Sequence, residues 1–600
     1  MRKAEQRQIM RKVVYGVVVS VLLSSTMLAL VACHADENDP VGLAKELTDP
    51  VRRQHSTSNL TRIYTKVLAD KNGNRQDPAV MEVTNAIIGP LVDIYIGHPE
   101  DNQTRTAVLS LLREMRDPRS LPVLKEALKW RAEVSEEQAI SAAQTIQQTP
   151  FTDAQKPELV SAIADALASV QDARPVDNRM RIEFIRALGN MQHSSATDAL
   201  VAVATRQSES QNFLINILAF EQLAKIHADS SVPALVKGLY LFDTKAPQRR
   251  ANDVAALGLV GVGCAALPPL LEVLGGTNAD ANAIATQYLA AVRAANPAAA
   301  DMMDIRMITA SDATYTLGEL GLPQAIDPLI AETAVVDETN PATQAISGAR
   351  RLGGAIGLAR IHRADADSER IRVAIRAVYD KADKQTRMQV LRAMQHLMDP
   401  GIQPFLLDTA KAPESELPDI RVIALNAFSM FANGAEAAQA QALIAAEPGA
   451  DPGGAEPAGD DEEAPPAGLK ELFTTQNAKA LTVAVECNED LACYIRKLAD
   501  RDAMVARKAA YMIARYGRGN AGAITALIAK LDTNDATVRG DVLYALDQIA
   551  DAGSQPAVER IEALQRVEEG RASWNQIKTL ALATAGRLRA RTTACARAAQ

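Results

Sequence analysis

Aromatic side chains are scarce, at 4% of the 600 residues, and glycine and proline together number only 60. Set beside 48% hydrophobic residues, this shortage leaves a composition driven by Ala and Leu, which points to helices. The apolar content excludes a disordered chain, and the 23% of charged residues excludes a polytopic membrane protein. A surplus of positive charge is also missing. Lys and Arg number 64 against 73 Asp and Glu, a net charge of −9, so no basic groove for nucleic acid is expected.

What is present begins with an address. Arg2, Lys3, Arg7, Arg11 and Lys12 precede the uncharged stretch Val13 to Ala32, the layout of a secretory signal. Leu30-Val31-Ala32-Cys33 resembles the lipobox of bacterial lipoproteins. That resemblance implies cleavage before Cys33, acylation of Cys33 with palmitate-type chains, and a body tethered to a membrane. A transmembrane anchor is the competing reading of about twenty apolar residues; the small residue before Cys and the polar run His34 to Asp39 favour the lipoprotein. His34 after the Cys, by likeness to enterobacterial sorting, favours the outer membrane. Removing residues 1–32, with five Lys/Arg and one Glu, takes the charge from −9 to −13.

At roughly 150 residues per domain the length suggests about four globular units, but the chain is periodic instead. An apolar helix, a short turn carrying Asp, Gly or Pro, and a second apolar helix opening on Pro-Leu or Ala-Leu recur. In the copy Asn102 to Trp130, Ala107, Leu111, Leu112 and Met115 follow helical spacing, Asp117-Pro118 stops the helix, and Leu121-Pro122-Val123-Leu124 starts its partner. Asp101 with Arg105, Asp383 with Arg387 and Asp535 with Arg539 repeat one four-residue offset, and Arg387 to Arg421 spans 34 residues.

These features resemble HEAT repeats, including the short bacterial kind also found in phycobilisome lyases. The resemblance implies an all-α fold, an alpha-solenoid of helix pairs forming an elongated superhelix. It also implies an Asp/Arg ladder between neighbours and a concave face lined by second helices. Repeats of this size predict roughly 13 to 15 pairs sharing one core. Glu447 to Gly468 interrupts the pattern with Pro, Gly, Ala and the acids Asp460, Asp461, Glu462 and Glu463; it is expected to be a flexible, solvated linker. The predicted organisation is thus a signal over 1–32, a tether over 33–41, a solenoid over 42–446, the linker over 447–468 and a C-terminal helical segment over 469–600.

Four cysteines remain besides Cys33. Cys487 and Cys493 within one helix would point about 240° apart, so a disulfide requires Cys487 to precede a helix starting near Asn488 to Asp490, both good N-caps. Such a bridge is expected, contributing roughly 2 kcal/mol, while Cys264 and Cys595 are expected to be unpaired thiols. Gly261-Val262-Gly263-Cys264-Ala265-Ala266 fits G-x-G-x-x-A but lacks the βαβ context of a dinucleotide site, which makes it an inter-helix turn. Asp70 to Asn74 approximates a calcium loop, with Arg75 where Gly belongs and Met81 where the closing acid should stand, and is read as a turn. His34, His55, His98, His193, His227, His362 and His396 have no second ligand at i+3 or i+4. Four of them (His193, His227, His362 and His396) fall at helix C-terminal turns, near the dipole. Arg587, Arg589, Arg591 and Arg597 read as a frayed basic helix end. No cofactor, metal or catalytic residue is expected. The expected function is a membrane-anchored, non-enzymatic scaffold binding protein or peptide partners at the cell envelope. The alternatives are an enzyme or chromophore-handling protein of the phycobilisome-lyase type, or a purely structural envelope component.

Overall fold

The computed structural model describes residues 36–129, 136–173, 178–207, 211–297, 303–336, 339, 341–361, 363, 366–412, 418–447, 469–550, 554–568 and 577–592. Their order and packing make an all-α solenoid of stacked helix pairs. The chain divides into two compact units, Met1–His193 and Ser194–Gln600.

A recurrent capping scheme sets the helix starts. Asp101 precedes Asn102–Met115 and accepts from the Thr104 N–H at 3.0 Å. Asp304, Asp383, Asp502 and Asp535 do the same for Ile305–Leu320, Lys384–Gln395, Ala503–Tyr516 and Ala536–Ile549. Each side chain satisfies an N–H that has no intrahelical acceptor, typically contributing ~1 kcal/mol. Second helices are shorter and enter through a 3-10 turn: Pro118–Ser120 leads into Leu121–Leu128, and Pro400–Ile402 into Gln403–Lys411. Asp117 and Asp399 accept from the Arg119 and Gly401 N–H groups at 2.9 Å. The Asp-Pro signature therefore has a physical content, since Asp caps the turn and Pro stands where an N–H would have no acceptor.

The arginines four residues after Asp101, Asp383 and Asp535 tie those first helices to the segment before them. Arg105 donates to the Pro99 carbonyl at 3.3 Å and lies 4.2 Å over the Tyr95 ring; Arg387 and Arg539 donate to the Tyr379 and Thr533 carbonyls at 3.3 and 3.1 Å. A rung between neighbours is formed by Arg53 and Asp101, 3.1 Å apart. In the unit Met1–His193, the first helices Arg53–Asp70, Asn102–Met115, Glu136–Gln148 and Arg179–Asn190 pack on one another in succession. Pro78–Gly97 is long and apolar enough to cross a membrane, yet Val80, Ile87, Leu91 and Tyr95 are fully buried in the core. Asp70 to Asn74 forms the turn before it, with Asn72 and Gly73 at φ of 52° and 78°.

In the unit Ser194–Gln600 the stacking of first helices is tight. A Cβ added to Gly318 of Ile305–Leu320 would lie 2.7 Å from the Gly357 Cα of Pro341–Ile361, so these backbones touch where both residues are glycine. Phe242–Asp243 and Ala246–Arg250 form a short antiparallel pair that the helical pattern did not predict. The helix Lys578–Thr592, hereafter the closing helix, packs on Ala536–Ile549 and Gln555–Glu568 and also on the distant Asn252–Val262 and Ile305–Leu320. Gly434–Ala446 and Leu469–Cys487, which flank the acidic stretch, pack against each other within this unit. The linker residues 448–468 and the signal and tether residues 1–35 lie outside the described residues.

Leu469–Cys487 ends at its cysteine, Asn488 turns the chain at φ 47°, and Asp490 caps Leu491–Leu498 by accepting from the Ala492 N–H at 2.9 Å. This places Cys487 and Cys493 in a disulfide with a Cα separation of 5.5 Å. Cys264 is disulfide-bonded too, which corrects the expectation of an unpaired thiol. Because Cys487 and Cys493 hold each other, its partner lies outside the described residues, where Cys33 and Cys595 also lie. Alkylation of the unfolded, unreduced protein is therefore expected to leave Cys264, Cys487 and Cys493 unlabelled, and prior reduction to expose all three. Peptide mass spectrometry reads the result, and labelling of any of them without reduction would refute its bond.

Candidate functional site

First helices line a cavity in the unit Ser194–Gln600. Side chains from Ile305–Leu320, Pro341–Ile361, Lys384–Gln395, Ala536–Ile549 and the closing helix surround a cavity of about 310 Å³. Ala536–Ile549 is largely enclosed: Val538, Asp541, Leu543, Leu546, Asp547 and Ile549 are all buried, while Thr537 near its start is exposed.

One wall of the cavity is a buried ion network. Arg587 of the closing helix, 2% exposed, pairs with Glu319 at 2.9 Å and Asp547 at 3.1 Å, and donates to the Glu319 carbonyl at 3.1 Å. Arg591 pairs with the same Asp547 at 2.6 Å, and Arg360 with the same Glu319. Burial works against the charge on Asp547, but Arg587, Arg591 and Arg363 outweigh it and hold the carboxyl below its usual range. For Arg587, burial likewise opposes the charge, and Asp547 and Glu319 raise the guanidinium above its ordinary value. Arg589 reaches the Gly261 carbonyl at 3.1 Å. The reading of Arg587, Arg589 and Arg591 as a frayed basic end is thus overturned: these side chains bind the closing helix to helices far away in sequence. Arg597 lies outside the described residues.

The cavity is also lined by His396, whose ring stacks on Tyr544 at 4.2 Å with 13° between planes. His396 is the C-cap residue of Lys384–Gln395, the kind of position expected to favour a cation. Burial, reinforced by Arg360 and Arg507, instead pushes its pKa down to about 4, so the imidazole is neutral. Its Nδ1 is shut off from solvent and has no partner among the described residues. His227, at the C-cap of Phe213–Ile226, is likewise lowered, to about 3, by burial and Arg589. His98 pairs with Glu100 at 3.1 Å and His55 with Asn59 at 2.9 Å. Among the described residues no cluster of three His, Cys, Asp or Glu is placed to hold a metal.

A second cavity, of about 440 Å³, opens between Lys384–Gln395, Pro418–Phe431, Leu469–Cys487 and Ala503–Tyr516. Arg507 in its wall pairs with Asp541 at 2.6 Å, and Lys479 with Asp502. Beside it the fully buried Lys508 donates to the carbonyls of Ser429, Met430 and Ala432, and Arg515 to that of Phe431 at 2.7 Å. Both serve the C-terminus of Pro418–Phe431, where carbonyls lack intrahelical donors.

Gly261 and Val262 end the helix Asn252–Val262, Gly263 turns the chain at φ 82°, and Cys264–Ala266 is a 3-10 turn leading into Leu267–Gly275, so the motif falls at an inter-helix turn. Glu319, Asp547, Arg360, Arg392 and Tyr544 were not singled out from sequence, and His396 was read there as a C-terminal-turn residue, the place it takes. The available sign was an acid at an inward position of an apolar helix, as in Leu317-Gly318-Glu319-Leu320.

No family model and no curated protein matches this chain. Among solved structures it is similar to a chain from a complex of Kap95p with RanGDP, at 12% identity and a TM-score of 0.40, covering 92% of this chain and 80% of that one. It is also similar to a chain from a cadherin and β-catenin structure, at 11% identity and a TM-score of 0.30, covering 94% and 93%. Likenesses this distant say nothing of activity, and the fold stands on the helix order and packing above.

Proposed function

We propose that this chain is a lipid-anchored, non-enzymatic scaffold whose HEAT-like solenoid binds protein or peptide partners at the cell envelope, with the outer membrane as the favoured site. The reading is carried by the helix-pair stack itself. Within each unit, repeated helix pairs that share a core present a run of adjoining helix faces, and such surfaces serve binding. Leu30-Val31-Ala32-Cys33 behind a basic and then apolar stretch supports the tether. Several acyl chains on Cys33 would exceed the two signals that stable anchoring requires.

Cys33→Ala is expected to move the protein from the membrane to the soluble fraction on cell fractionation; retention in the membrane would refute the lipid anchor. Crosslinking in intact cells followed by mass spectrometry is expected to recover a protein joined reproducibly to the solenoid. Recovery of monomer alone would count against the scaffold and leave the tether unaffected.

A further inference from the structure

The two cavities meet at one side chain. Arg392 lies in the wall of both. The first is lined by Arg360, Arg392 and Arg587 against Glu319 and Asp547, and the second by Arg392, Lys479 and Arg507 with no acid. Together the walls hold five cations and two anions, a local excess of positive charge in a chain whose net charge is −9. Four of the cations are matched: Arg360 and Arg587 by Glu319, Lys479 by Asp502 and Arg507 by Asp541. Arg392 has no carboxylate partner among the described residues.

We propose that these adjoining cavities form a binding site for a small organic anion, whose carboxylate or phosphate group pairs with Arg392. The proposal goes beyond the scaffold reading and does not depend on the tether. Volumes of about 310 and 440 Å³ fall in the range of small-molecule sites, ~300–1,000 Å³. A guanidinium is the side chain best suited to a planar or tetrahedral oxyanion, because its N–H fork donates two parallel charge-assisted bonds. Neutral donors and acceptors stand around it: Gln389 and Gln548 in the first cavity, Gln395, Thr475 and Asn477 in the second. They suit hydroxyl or amide groups on the rest of such a ligand. The stacked rings of His396 and Tyr544 supply an apolar wall, and the neutral imidazole adds no charge there. Size argues for a small molecule, since the volumes suit one and Leu580 and Arg587 of the closing helix wall one side of the first cavity.

The test is calorimetric titration of the full chain with citrate and with glucose 6-phosphate, using glucose as the neutral control. At least one anion is expected to bind and glucose not to; which anion binds separates a carboxylate ligand from a phosphate one. Arg392→Gln is expected to weaken binding by at least about tenfold, as for loss of a charge-assisted bond, with Arg392→Lys intermediate. Arg392 is exposed and without an ion pair, so thermal unfolding of Arg392→Gln should match the wild type. Arg293→Gln, at an exposed site on Ala279–Ala295, should bind as the wild type does. Absence of binding by both anions, binding unchanged in Arg392→Gln, or an equal loss in Arg293→Gln would overturn the proposal.

Discussion

Arg587→Ala is expected to lower the stability of the unit Ser194–Gln600 by about 3–5 kcal/mol, the usual consequence of removing one partner from a buried ion pair. Two carboxylates that Arg587 neutralises, Glu319 and Asp547, stay buried at 6% and 3% exposure. Arg360 and Arg591 still hold them, which keeps the loss from being larger. The side chain also packs on Gly321, which sits at φ +69° and whose Cβ would stand 2.5 Å from the Arg587 Cδ, so truncation leaves a gap as well as a charge. Urea unfolding reads the effect as a shift in midpoint. Adding Asp547→Asn to Arg587→Ala is expected to recover part of the loss, because the second change removes the charge the first one strands. Arg370, exposed and paired with Asp327 and Asp367 at the surface, is the control: its alanine variant should leave the midpoint where it is. Equal shifts for Arg587→Ala and Arg370→Ala would mean that the closing helix is not held by this network.

The solenoid was legible because its signals are local. A capping Asp, a Pro in the first turn and an apolar period of 3.6 all act within a dozen residues, so Asp101, Asp117 and Pro118 announce helix boundaries by themselves. The Cys487 and Cys493 bridge was legible for the same reason, as Asp490 between them is a helix start. Closure was not legible. Arg587 and Glu319 are 268 residues apart, and an arginine on an Ala/Leu helix reads as solvated until a distant carboxylate is placed against it. Nor did composition tell inward from outward helices, because first and second helices draw on the same Ala and Leu. The strands around Phe242 and Ala246 were hidden by Pro247, which reads as a turn. Arg392 escaped notice because its meaning is relational: it is the cation left over after its neighbours are paired.

Acidification is expected to destabilise the unit Ser194–Gln600 between about pH 6.5 and 4, with His227 and His396 as a main source. An unfolded histidine takes up a proton below about pH 6.5, whereas in the fold His396 resists until about 4 and His227 until about 3. In that window the unfolded state binds more protons, so stability falls as pH falls. At ~1.4 kcal/mol per pKa unit, each site loses up to roughly 3 kcal/mol by pH 4. Asp541 acts in the opposite direction. Burial, outweighing Arg507, raises its carboxyl to about 6, so the fold takes up a proton there before the unfolded chain does, and one histidine's loss is offset in part. Asp547, held low by its arginines despite burial, adds to the loss as pH falls through its folded value. His396→Phe separates these contributions, since phenylalanine keeps a ring against Tyr544 and cannot titrate. Its unfolding midpoint, followed from pH 7.5 to 4, is expected to gain steadily on the wild type as pH falls, by up to roughly 3 kcal/mol at the acid end. Parallel curves would show that His396 is not neutral and buried in the fold, and would remove the uncharged wall assigned to the cavity beside Arg392.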